Sequence, residues 1–517
     1  MVLFKPFLAV LFATFSCKAV SETVWPVPRS LTCEGSPIRL SSDFDIESSS
    51  ESSLLATAID RYKTLIKKQE ISLSEPRSQE RNSIEVVKVT TASDDESLNG
   101  DTSYEYWINV TADGQVSIKG ASVYGAMYGM ETFSQLVVNG SVECSTVEIH
   151  DFPTYRHRGL MIDTGRRFFP VPLVFSLLDA MSYVKMNVLH MHLSDFCRFS
   201  VESVLYPELT AGLKGQYYTQ ANISSIIEYA RERGIRVMPE IDLPGHSKGL
   251  EPLSSHGLLE YCNSYHTEIY DDARNTSLYT LQNLLAEIAA LFPEPLYHIG
   301  CDETAVIGNC SLQATQNLEK KLFNFTSHLM KTPVAFEEAF FETKSADRSV
   351  IIQTWEHYTA FDVVKQGVYA IENNKHNFYL SVEPLIDVKD VWTDIAVNMS
   401  SDQERSLLLG GEISYWTDNY CPVSQCQPHL TRPKPEAWWM YDTQHDDAFS
   451  QSVSNMIWPR SIAGAGSFWN YVSSLSSDDF LARYHAQNER LTERHVITCP
   501  TACVCDVLTK CGKPYSQ

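Results

Sequence analysis

The stretch that decides the fold is Asn187-Val188-Leu189-His190-Met191-His192-Leu193-Ser194-Asp195, a short and mostly apolar run that ends on a carboxylate. An apolar run of this length is typical of a buried β-strand. Similar runs recur after Pro153, and the candidate strands are Arg158–Thr164, Val188–Asp195, Arg236–Asp242, Leu296–Asp302, Pro333–Glu337, Val350–Glu356, Val368–Glu372 and Leu407–Tyr415. Helical patterns lie between some of them, at Pro172–Tyr183, Ile223–Glu232 and Leu278–Leu291. Strands that alternate with helices predict a parallel sheet, and eight such strands predict a closed (β/α)8 TIM barrel, an α/β fold.

The chain before the barrel has a different pattern. Leu54–Lys67 is amphipathic, Tyr104–Lys119 alternates like two strands around an Asp113-Gly114 turn, and Ala121–Val138 looks helical. We therefore expect a smaller α+β domain over residues 22–152, followed by the catalytic barrel and a cysteine-rich tail over residues 153–517.

The first 21 residues have the pattern of a signal peptide. Lys5 supplies a weak positive region, Pro6–Ser16 is apolar but too short to span a bilayer, and Ala19–Ser21 offers small residues for cleavage. No later apolar run reaches about 18 residues, so we expect no membrane span. The pattern predicts entry into the secretory pathway, with the lysosome or the extracellular space as the destination.

The charge of the chain excludes one class of partner. A formal net charge of -23 repels phosphate backbones, so nucleic acid is not expected as a partner. An apolar content of 44% is typical of a folded protein.

Cysteines and glycosylation sequons agree with an oxidising destination. Thirteen cysteines become twelve when Cys17 leaves with the signal peptide, and an even number could pair fully. The last four resemble a disulfide-stapled terminus, with a zinc site as the alternative: Cys499, Cys503, Cys505 and Cys511. Seven N-x-S/T sequons predict glycosylation at Asn109, Asn139, Asn222, Asn275, Asn309, Asn324 and Asn398.

Polar and aromatic side chains collect where the predicted strands end. They are Asp163, Arg166, Asp195, Asp242, His246, Asp302, Glu303, Glu337, Glu338, Trp355, Glu356, Trp416 and Asp418. The active site of such a barrel lies at this mouth, although polar residues also mark strand ends without any function. Aromatic faces stack on pyranose rings, and carboxylates bind hydroxyls and supply a general acid, so the mouth is typical of a sugar site.

The pair Asp302-Glu303 is more informative than two separate carboxylates. In a conventional retaining glycosidase, two carboxylates lie about 5 Å apart and flank the glycosidic bond from opposite sides. Adjacent residues at one strand end cannot easily take up this arrangement. Adjacent carboxylates could instead serve as one general acid and one residue that orients a 2-acetamido group of the substrate. A water-poor mouth would raise the pKa of Glu303 and give an acidic optimum at roughly pH 4–6.

The segment His298-Ile299-Gly300-Cys301-Asp302-Glu303 resembles the H-x-G-x-D-E signature of glycoside hydrolase family 20, the β-N-acetylhexosaminidases. Further segments agree in the same order, and they are residues 157–164, 187–193, 227–237, 243–246 and 458–460. In the small domain, residues 116–119 and 131–136 also agree. The resemblance spans about residues 105–470 and is closest to the lysosomal-type animal enzymes.

The resemblance implies roles for five residues around the reaction. Glu303 would be the general acid and then the base for water, and Asp302 would orient the acetamido group. Tyr379 resembles the tyrosine that hydrogen-bonds the acetamido carbonyl. Asp195 and His246 resemble a hydrogen-bonded pair behind Glu303.

The resemblance also implies a sugar pocket, a disulfide and an assembly. Arg166 would hold the outer hydroxyls of the sugar, Trp355 and Trp416 would wall the pocket, and Asp418 falls where a hydroxyl-binding Glu is usual. The disulfide would join Cys262 and Cys310. A homodimer is the assembly that the family implies, and no cofactor or metal is expected.

Several residues depart from the family pattern. Phe336 stands where a Trp is usual, Phe196 where a second Asp is usual, and Gly466 where a Glu is usual. The segment 373–379 lacks a Trp found near this point. These departures bear on sugar preference, catalytic rate and subunit assembly.

Other functions remain open from the residues. A catalytically weak or inactive glycan-binding relative would keep the aromatic walls, but would not need Asp302 and Glu303. A conventional two-carboxylate glycosidase is a second alternative. His190 and His192 share one face of a strand and could bind a metal instead of packing in the core.

Overall fold

The computed structural model describes residues 22–70, 83–262, 268–304, 310–381, 386–418 and 446–496. The predicted signal peptide, the four terminal cysteines and Asn309 lie outside the described residues. No helix within the described ranges is both long enough and apolar enough to cross a bilayer.

A closed parallel barrel forms the larger part of the molecule, as predicted. Its strands are β9 (His157–Asp163), β10 (Val188–His192), β11 (Arg236–Leu243), β14 (Leu296–Gly300), β15 (Thr332–Phe336), β16 (Ile351–Thr354), β17 (Ala370–Glu372) and β18 (Leu408–Tyr415). They neighbour one another in the order β10-β11-β14-β15-β16-β17-β18-β9, which closes on itself. A short antiparallel pair, β12 (Glu260–Tyr261) and β13 (Ile269–Tyr270), stands beside the barrel. Most of the predicted strands end earlier than expected, because their last polar residues turn into the mouth.

Helices surround the barrel. Those of the barrel region are Val171–Tyr183, Glu208–Ala211, Gln220–Arg231, Ser247–Leu250 (a 3-10 turn), Glu251–Ser255, Thr276–Leu291, Leu312–His328, Glu338–Phe341, Ala360–Val364, Lys375–Phe378, Val388–Val391, Asp402–Leu407, Asp446–Asn470 and Ser477–Glu493. The three predicted helices are confirmed within a few residues. Gln220–Arg231 begins where the Thr219 hydroxyl accepts the backbone N–H of Asn222 and the Asn222 side chain accepts the N–H of Thr219, an arrangement that caps two free donors.

The described part of the preceding domain is a mixed sheet with two helices. Its strands are β1 (Ser30–Glu34), β2 (Ile38–Ser48), β3 (Ser83–Thr91), β4 (Tyr106–Val110), β5 (Val116–Gly120), β6 (Val137–Val138), β7 (Ser141–Val142) and β8 (Thr146–Asp151), and its helices are Ser53–Glu70 and Val123–Leu136. The strand order is β1-β8-β4-β5-β3-β2-β7-β6. The helix predicted to run to Val138 instead ends at Leu136, since the next two residues pair with β7.

A buried ionic contact joins this domain to the barrel. The Lys185 ammonium lies 3.3 Å from the Asp151 carboxylate and donates to the Tyr106 hydroxyl at 2.7 Å. The indole N–H of Trp469 donates to the same carboxylate at 3.0 Å. All four side chains are buried, so this charge pair depends on the two domains staying together.

Gly466 lies at a second contact with the N-terminal segment, and the structure explains why this position lacks a side chain. A Cβ at Gly466 would stand 2.2 Å from the ring of Trp25. Trp25 is wholly buried and donates its indole N–H to the carbonyl of Ile462 at 2.8 Å. The indole of Trp25 therefore occupies the space that a larger residue would take.

Candidate active site

The carboxyl ends of the barrel strands bring the predicted mouth residues together. Asp163 ends β9, Asp195 follows β10, and Asp302 and Glu303 follow β14. The side chains of Asp163 and Asp195 are fully buried and that of Asp302 is 12% exposed, whereas that of Glu303 is 40% exposed. Glu303 is thus the most open of these four carboxylates.

Arg166 is the central cation of one side of the mouth. Its guanidinium contacts Asp163 at 2.9 Å, Asp195 at 2.9 Å and Asp418 at 3.4 Å. It also lies 5.2 Å from the ring centroid of Trp416. The Asp418 side chain is 44% exposed. Arg166 and Asp418 therefore offer a donor and an acceptor side by side, as a set of sugar hydroxyls requires.

His246 is the centre of the other side of the mouth. Its Nδ1 lies 3.5 Å from Asp195, and its Nε2 lies 3.1 Å from Glu303 and 3.6 Å from Asp302. The imidazole therefore joins the buried Asp195 to both neighbouring carboxylates. Asp195 in turn links this group to Arg166.

An unusual backbone turn presents Asp302 and Glu303 to the same space. Gly300, Cys301 and Glu303 all have positive φ, at 78°, 73° and 52°. A Cβ at Gly300 would stand 1.8 Å from a carboxylate oxygen of Asp242, so only glycine fits there. Non-glycine residues in this region are strained and cluster at functional sites.

Charges and burial at the mouth shift the pKa values of Glu303 and Asp302 in opposite directions. Burial lowers the pKa of His246, but the carboxylates of Asp302 and Asp195 outweigh it and raise that pKa well above its ordinary value. The hydrogen bond from His246 lowers the pKa of Glu303. Burial raises the pKa of Asp302. The expectation of a raised pKa for Glu303 is therefore wrong, because the contact with His246 prevails over desolvation.

Aromatic side chains form one wall of the mouth. Trp355 and Tyr379 stack with ring centroids 6.1 Å apart, and Tyr379 lies 5.9 Å from Trp416. Phe336 lies 6.4 Å from Trp416, and Met161 belongs to the same buried cluster. The wall is mostly apolar, so it suits an acyl methyl group or a pyranose face.

Glu338 is a mouth residue to which the sequence assigned no role. Both of its carboxylate oxygens accept the indole N–H of Trp355 at 3.1 Å, and one accepts the backbone N–H of Glu303 at 3.4 Å. It therefore ties the aromatic wall to the strained turn. The available signal was its position two residues after the end of β15.

Asp242 is a second residue without an assigned role. Neither of its carboxylate oxygens has a hydrogen-bond partner among the described residues. Burial and the nearby carboxylate of Asp302 raise the pKa of Asp242 well above its ordinary value. Its neutral form therefore avoids a second buried negative charge beside Asp302.

The two phenylalanine departures lie against imidazoles of the site. The ring of Phe196 packs 4.7 Å from that of His246, and the ring of Phe336 packs 4.5 Å from that of His298. Both are buried. They add apolar packing around the site without adding a charge.

The cysteines near the mouth differ from the simplest expectation. Cys262 and Cys310 form a disulfide with Cα atoms 5.2 Å apart. Cys301 is a free, buried thiol, so the expectation that all twelve remaining cysteines can pair is wrong. Its side chain is fully buried in the large apolar cluster that includes Leu318 and Leu322 of the helix Leu312–His328.

Both ring nitrogens of His190 and His192 face carboxylates. His190 contacts Glu412 at 2.8 Å and Glu240 at 3.0 Å. His192 contacts Glu240 at 2.6 Å and Asp195 at 2.9 Å. These contacts make the two histidines members of a buried ionic network.

Comparison with known sequences shows which family the chain belongs to. The profile of the glycosyl hydrolase family 20 catalytic domain matches residues 155–471, and a profile described as beta-acetyl hexosaminidase like matches residues 24–136. Beta-hexosaminidase subunit A2 of Dictyostelium discoideum is 32% identical over 438 residues, which cover 78% of this chain and 79% of that protein. Beta-hexosaminidase subunit beta of Mus musculus is 31% identical over 457 residues, which cover 80% of this chain and 84% of that protein.

Solved structures agree on the fold. A chitobiase of Flavobacterium johnsoniae superposes with a TM-score of 0.73 at 22% identity, covering 92% of this chain and 73% of that one. A hexosaminidase of Streptomyces plicatus superposes with a TM-score of 0.70 at 21% identity, covering 93% of this chain and 96% of that one. The catalytic-domain profile spans more than half of the chain, and the sequence relatives are matched over most of their length. The chain therefore belongs to glycosyl hydrolase family 20 and is a glycoside hydrolase with β-N-acetylhexosaminidase activity.

Proposed function

We propose that the mouth removes terminal non-reducing N-acetylhexosamine with retention of configuration, and that the 2-acetamido group of the substrate is the nucleophile. The observation that carries this proposal is that Asp302 and Glu303 lie within 3.6 Å of one nitrogen of His246. A protein nucleophile and an acid must instead flank the glycosidic bond from opposite sides, about 5 Å apart. Asp302 and Glu303 are adjacent residues at one strand end and face the same imidazole, so they cannot easily straddle a bond in this way.

Glu303 is the proton donor in this scheme. It protonates the glycosidic oxygen while the acetamido carbonyl oxygen bonds to the anomeric carbon, and the bond to the leaving oxygen breaks. The product of this step is a cyclic oxazolinium, with Glu303 ionised. Water then attacks the anomeric carbon, the bond from that carbon to the acetamido oxygen breaks, and the water proton passes to Glu303, which regenerates the acid and the free acetamido group. The greater exposure of Glu303 supports this role, since a proton donor must reach the leaving group.

Asp302 orients the acetamido group. It accepts the acetamido N–H and stabilises the positive charge that develops near the transition state. The Tyr379 hydroxyl donates to the acetamido carbonyl, and the apolar cluster around Phe336 and Trp416 takes the methyl group. The buried position of Asp302 beside this cluster supports the assignment.

Arg166 and Asp418 bind the outer hydroxyls of the sugar, with Trp355 and Trp416 as walls. Asp195 and His246 support Glu303 from behind. Arg166 is held by three carboxylates, so its N–H donors are already in position before the sugar binds. The alternative of an inactive glycan-binding relative does not require the strained turn that presents Glu303.

The chain passes through the secretory pathway to the lysosome or the extracellular space and functions there as a homodimer. The disulfides Cys33–Cys144 and Cys262–Cys310 support an oxidising route. Residues 1–21 are the signal peptide, 22–152 the first domain and 153–517 the barrel with its tail. Four predicted glycosylation sites are exposed, at Asn109, Asn139, Asn324 and Asn398, and two are half-buried, at Asn222 and Asn275.

The test is release of a chromogenic leaving group from three β-glycosides: N-acetylglucosaminide, N-acetylgalactosaminide and glucoside. We expect turnover of at least one N-acetyl sugar, with the glucoside at least about 10²-fold slower because it has no internal nucleophile. Comparable turnover of the glucoside would contradict the proposal.

A further inference from the structure

The interior of the barrel carries a layer of imidazoles and carboxylates with one carboxamide. Its members are all buried, and they are His157, His190, Glu240, His298, Gln353 and Glu412. Barrels of this type usually fill such layers with branched apolar side chains. An apolar layer of that kind lies nearer the start of the strands, where Val188 and Met238 each precede a polar member by two residues.

Hydrogen bonds connect this layer to the mouth through Glu240. One carboxylate oxygen of Glu240 lies 2.6 Å from Nδ1 of His192, and Nε2 of His192 lies 2.9 Å from Asp195. Asp195 lies 3.5 Å from His246, which lies 3.1 Å from Glu303. Every member of the chain before Glu303 is almost wholly buried, so water cannot replace a missing partner.

Charges alternate in sign along this chain. Burial disfavours charge on both Glu240 and His192, but their mutual attraction prevails: the pKa of Glu240 is lowered well below and that of His192 raised well above its ordinary value. His192 therefore places a positive charge beside one carboxylate oxygen of Asp195, and His246 places a second positive charge near the other oxygen. Asp195 is held by directed bonds and not by packing alone.

We infer that Glu240 is a positioning residue for the catalytic acid, because it holds His192 against Asp195 and thereby fixes His246 and Glu303. The inference rests on the proposed function, since it requires Glu303 to be the proton donor. Glu240 itself is held in place from other strands, by His190 at 3.0 Å and His298 at 3.1 Å. Loss of its charge would leave His192 without its closest anion and loosen the next three members.

Glu412 provides a matched control. It is equally buried in the same layer and contacts His157 at 2.9 Å and His190 at 2.8 Å. No hydrogen bond between Glu412 and His192 is found in the described part of the barrel. Glu412→Gln therefore removes a buried charge of the same kind but leaves both carboxylate partners of His192 in place, since Glu412 reaches Glu240 only through His190.

The experiment compares kcat for two N-acetylhexosaminides, one with a reactive nitrophenol leaving group and one with a sugar leaving group. Only the sugar leaving group depends strongly on the acid. We expect Glu240→Gln to lower kcat about 10-fold for the sugar leaving group and less than about 3-fold for the nitrophenol. Glu412→Gln should affect both substrates alike. A purely structural loss would also lower both equally.

Equal losses for the two leaving groups in Glu240→Gln would overturn the inference, as would the same selective loss in Glu412→Gln. If Glu240→Gln does not fold, His192→Asn takes its place, and the same selectivity is required of it. The proposed function fails separately, through comparable turnover of the plain glucoside by the unaltered enzyme.

Discussion

His246 contacts both carboxylates of the reacting pair, so its charge acts on the protonation of each. The proposed roles require Glu303 to be protonated and Asp302 to be ionised, so kcat/KM should fall as pH rises through the pKa of Glu303 and as pH falls through that of Asp302. The His246 cation lowers both pKa values. We therefore expect His246→Asn to move both limbs of the pH profile of kcat/KM to higher pH. Limbs that stay in place or move to lower pH would contradict this reading.

The proposed role of Glu303 as the proton donor can be tested by substitution. Glu303→Gln keeps the shape of the side chain and should lower turnover of substrates with poor leaving groups by about 10²-fold or more. The melting temperature should change little. A matched control is Glu356→Gln, which removes an acidic side chain paired with Lys375 elsewhere at the strand ends. Near-normal turnover in Glu303→Gln, or an equal loss in the control, would contradict the assignment.

Sequence reasoning predicted the placement of those residues whose position along a strand is itself the signal. Asp195, Asp302 and Glu303 directly follow apolar runs, and the barrel places them at one mouth. It assigned no role to Glu240, because that residue lies inside an apolar run and its role depends on His192, 48 residues away in sequence. The pKa of Glu303 was mispredicted for the same reason, since a contact with His246 is not visible in a strand pattern.

At the scale of elements, the turn after β14 is the most constrained feature. Gly300→Ala adds a Cβ that would stand 1.8 Å from Asp242 at a φ of 78°, so we expect activity to fall by more than about 10-fold and stability to fall too. Gly257→Ala is the control, because its φ is 68° but nothing lies within 4 Å of the added Cβ. It should lose only about 1–2 kcal/mol in the free energy of unfolding and retain kcat. Equal effects of the two variants on kcat would refute a role for the close approach.

Element boundaries were less predictable than element types. All eight barrel strands appear where apolar runs predicted them, because a buried parallel strand has few polar positions. Several predicted ends included polar residues that instead turn into the mouth. In the first domain, the helix prediction overran at Val137, where pairing with Val142 outweighs helical continuation.

At the scale of the whole molecule, Gly466 tests how the N-terminal segment packs against the barrel. Gly466→Ala would place a Cβ 2.2 Å from Trp25 and 2.8 Å from Trp392. We expect the free energy of unfolding to fall by about 1–3 kcal/mol, measured by denaturant titration, with kcat nearly unchanged. Gly212→Ala is the control, since nothing lies within 4 Å of its added Cβ. Equal stability of the two variants would show that the contact is not tight.

The joining of the two domains could not be predicted from sequence. Lys185 and Asp151 fall on opposite sides of the predicted boundary at Pro153, and each resembles an ordinary surface residue in its own segment. Only the assembled structure brings them within 3.3 Å in a buried site. The fold class could be predicted because it depends on local sequence patterns that repeat along the chain. The contact between the domains depends on individual residue pairs that are distant in sequence.

The central claim is that the nucleophile belongs to the substrate and not to the protein. The most direct test is to incubate the enzyme with a 2-fluoro glycoside that carries a reactive leaving group. The mass of the intact protein is then measured by mass spectrometry. A thiazoline mimic of the cyclised sugar, which should inhibit strongly, shows that the same preparation has a competent site. The account predicts an unmodified protein mass, because no carboxylate bonds to the anomeric carbon. A stable fluorosugar adduct on a carboxylate would contradict it.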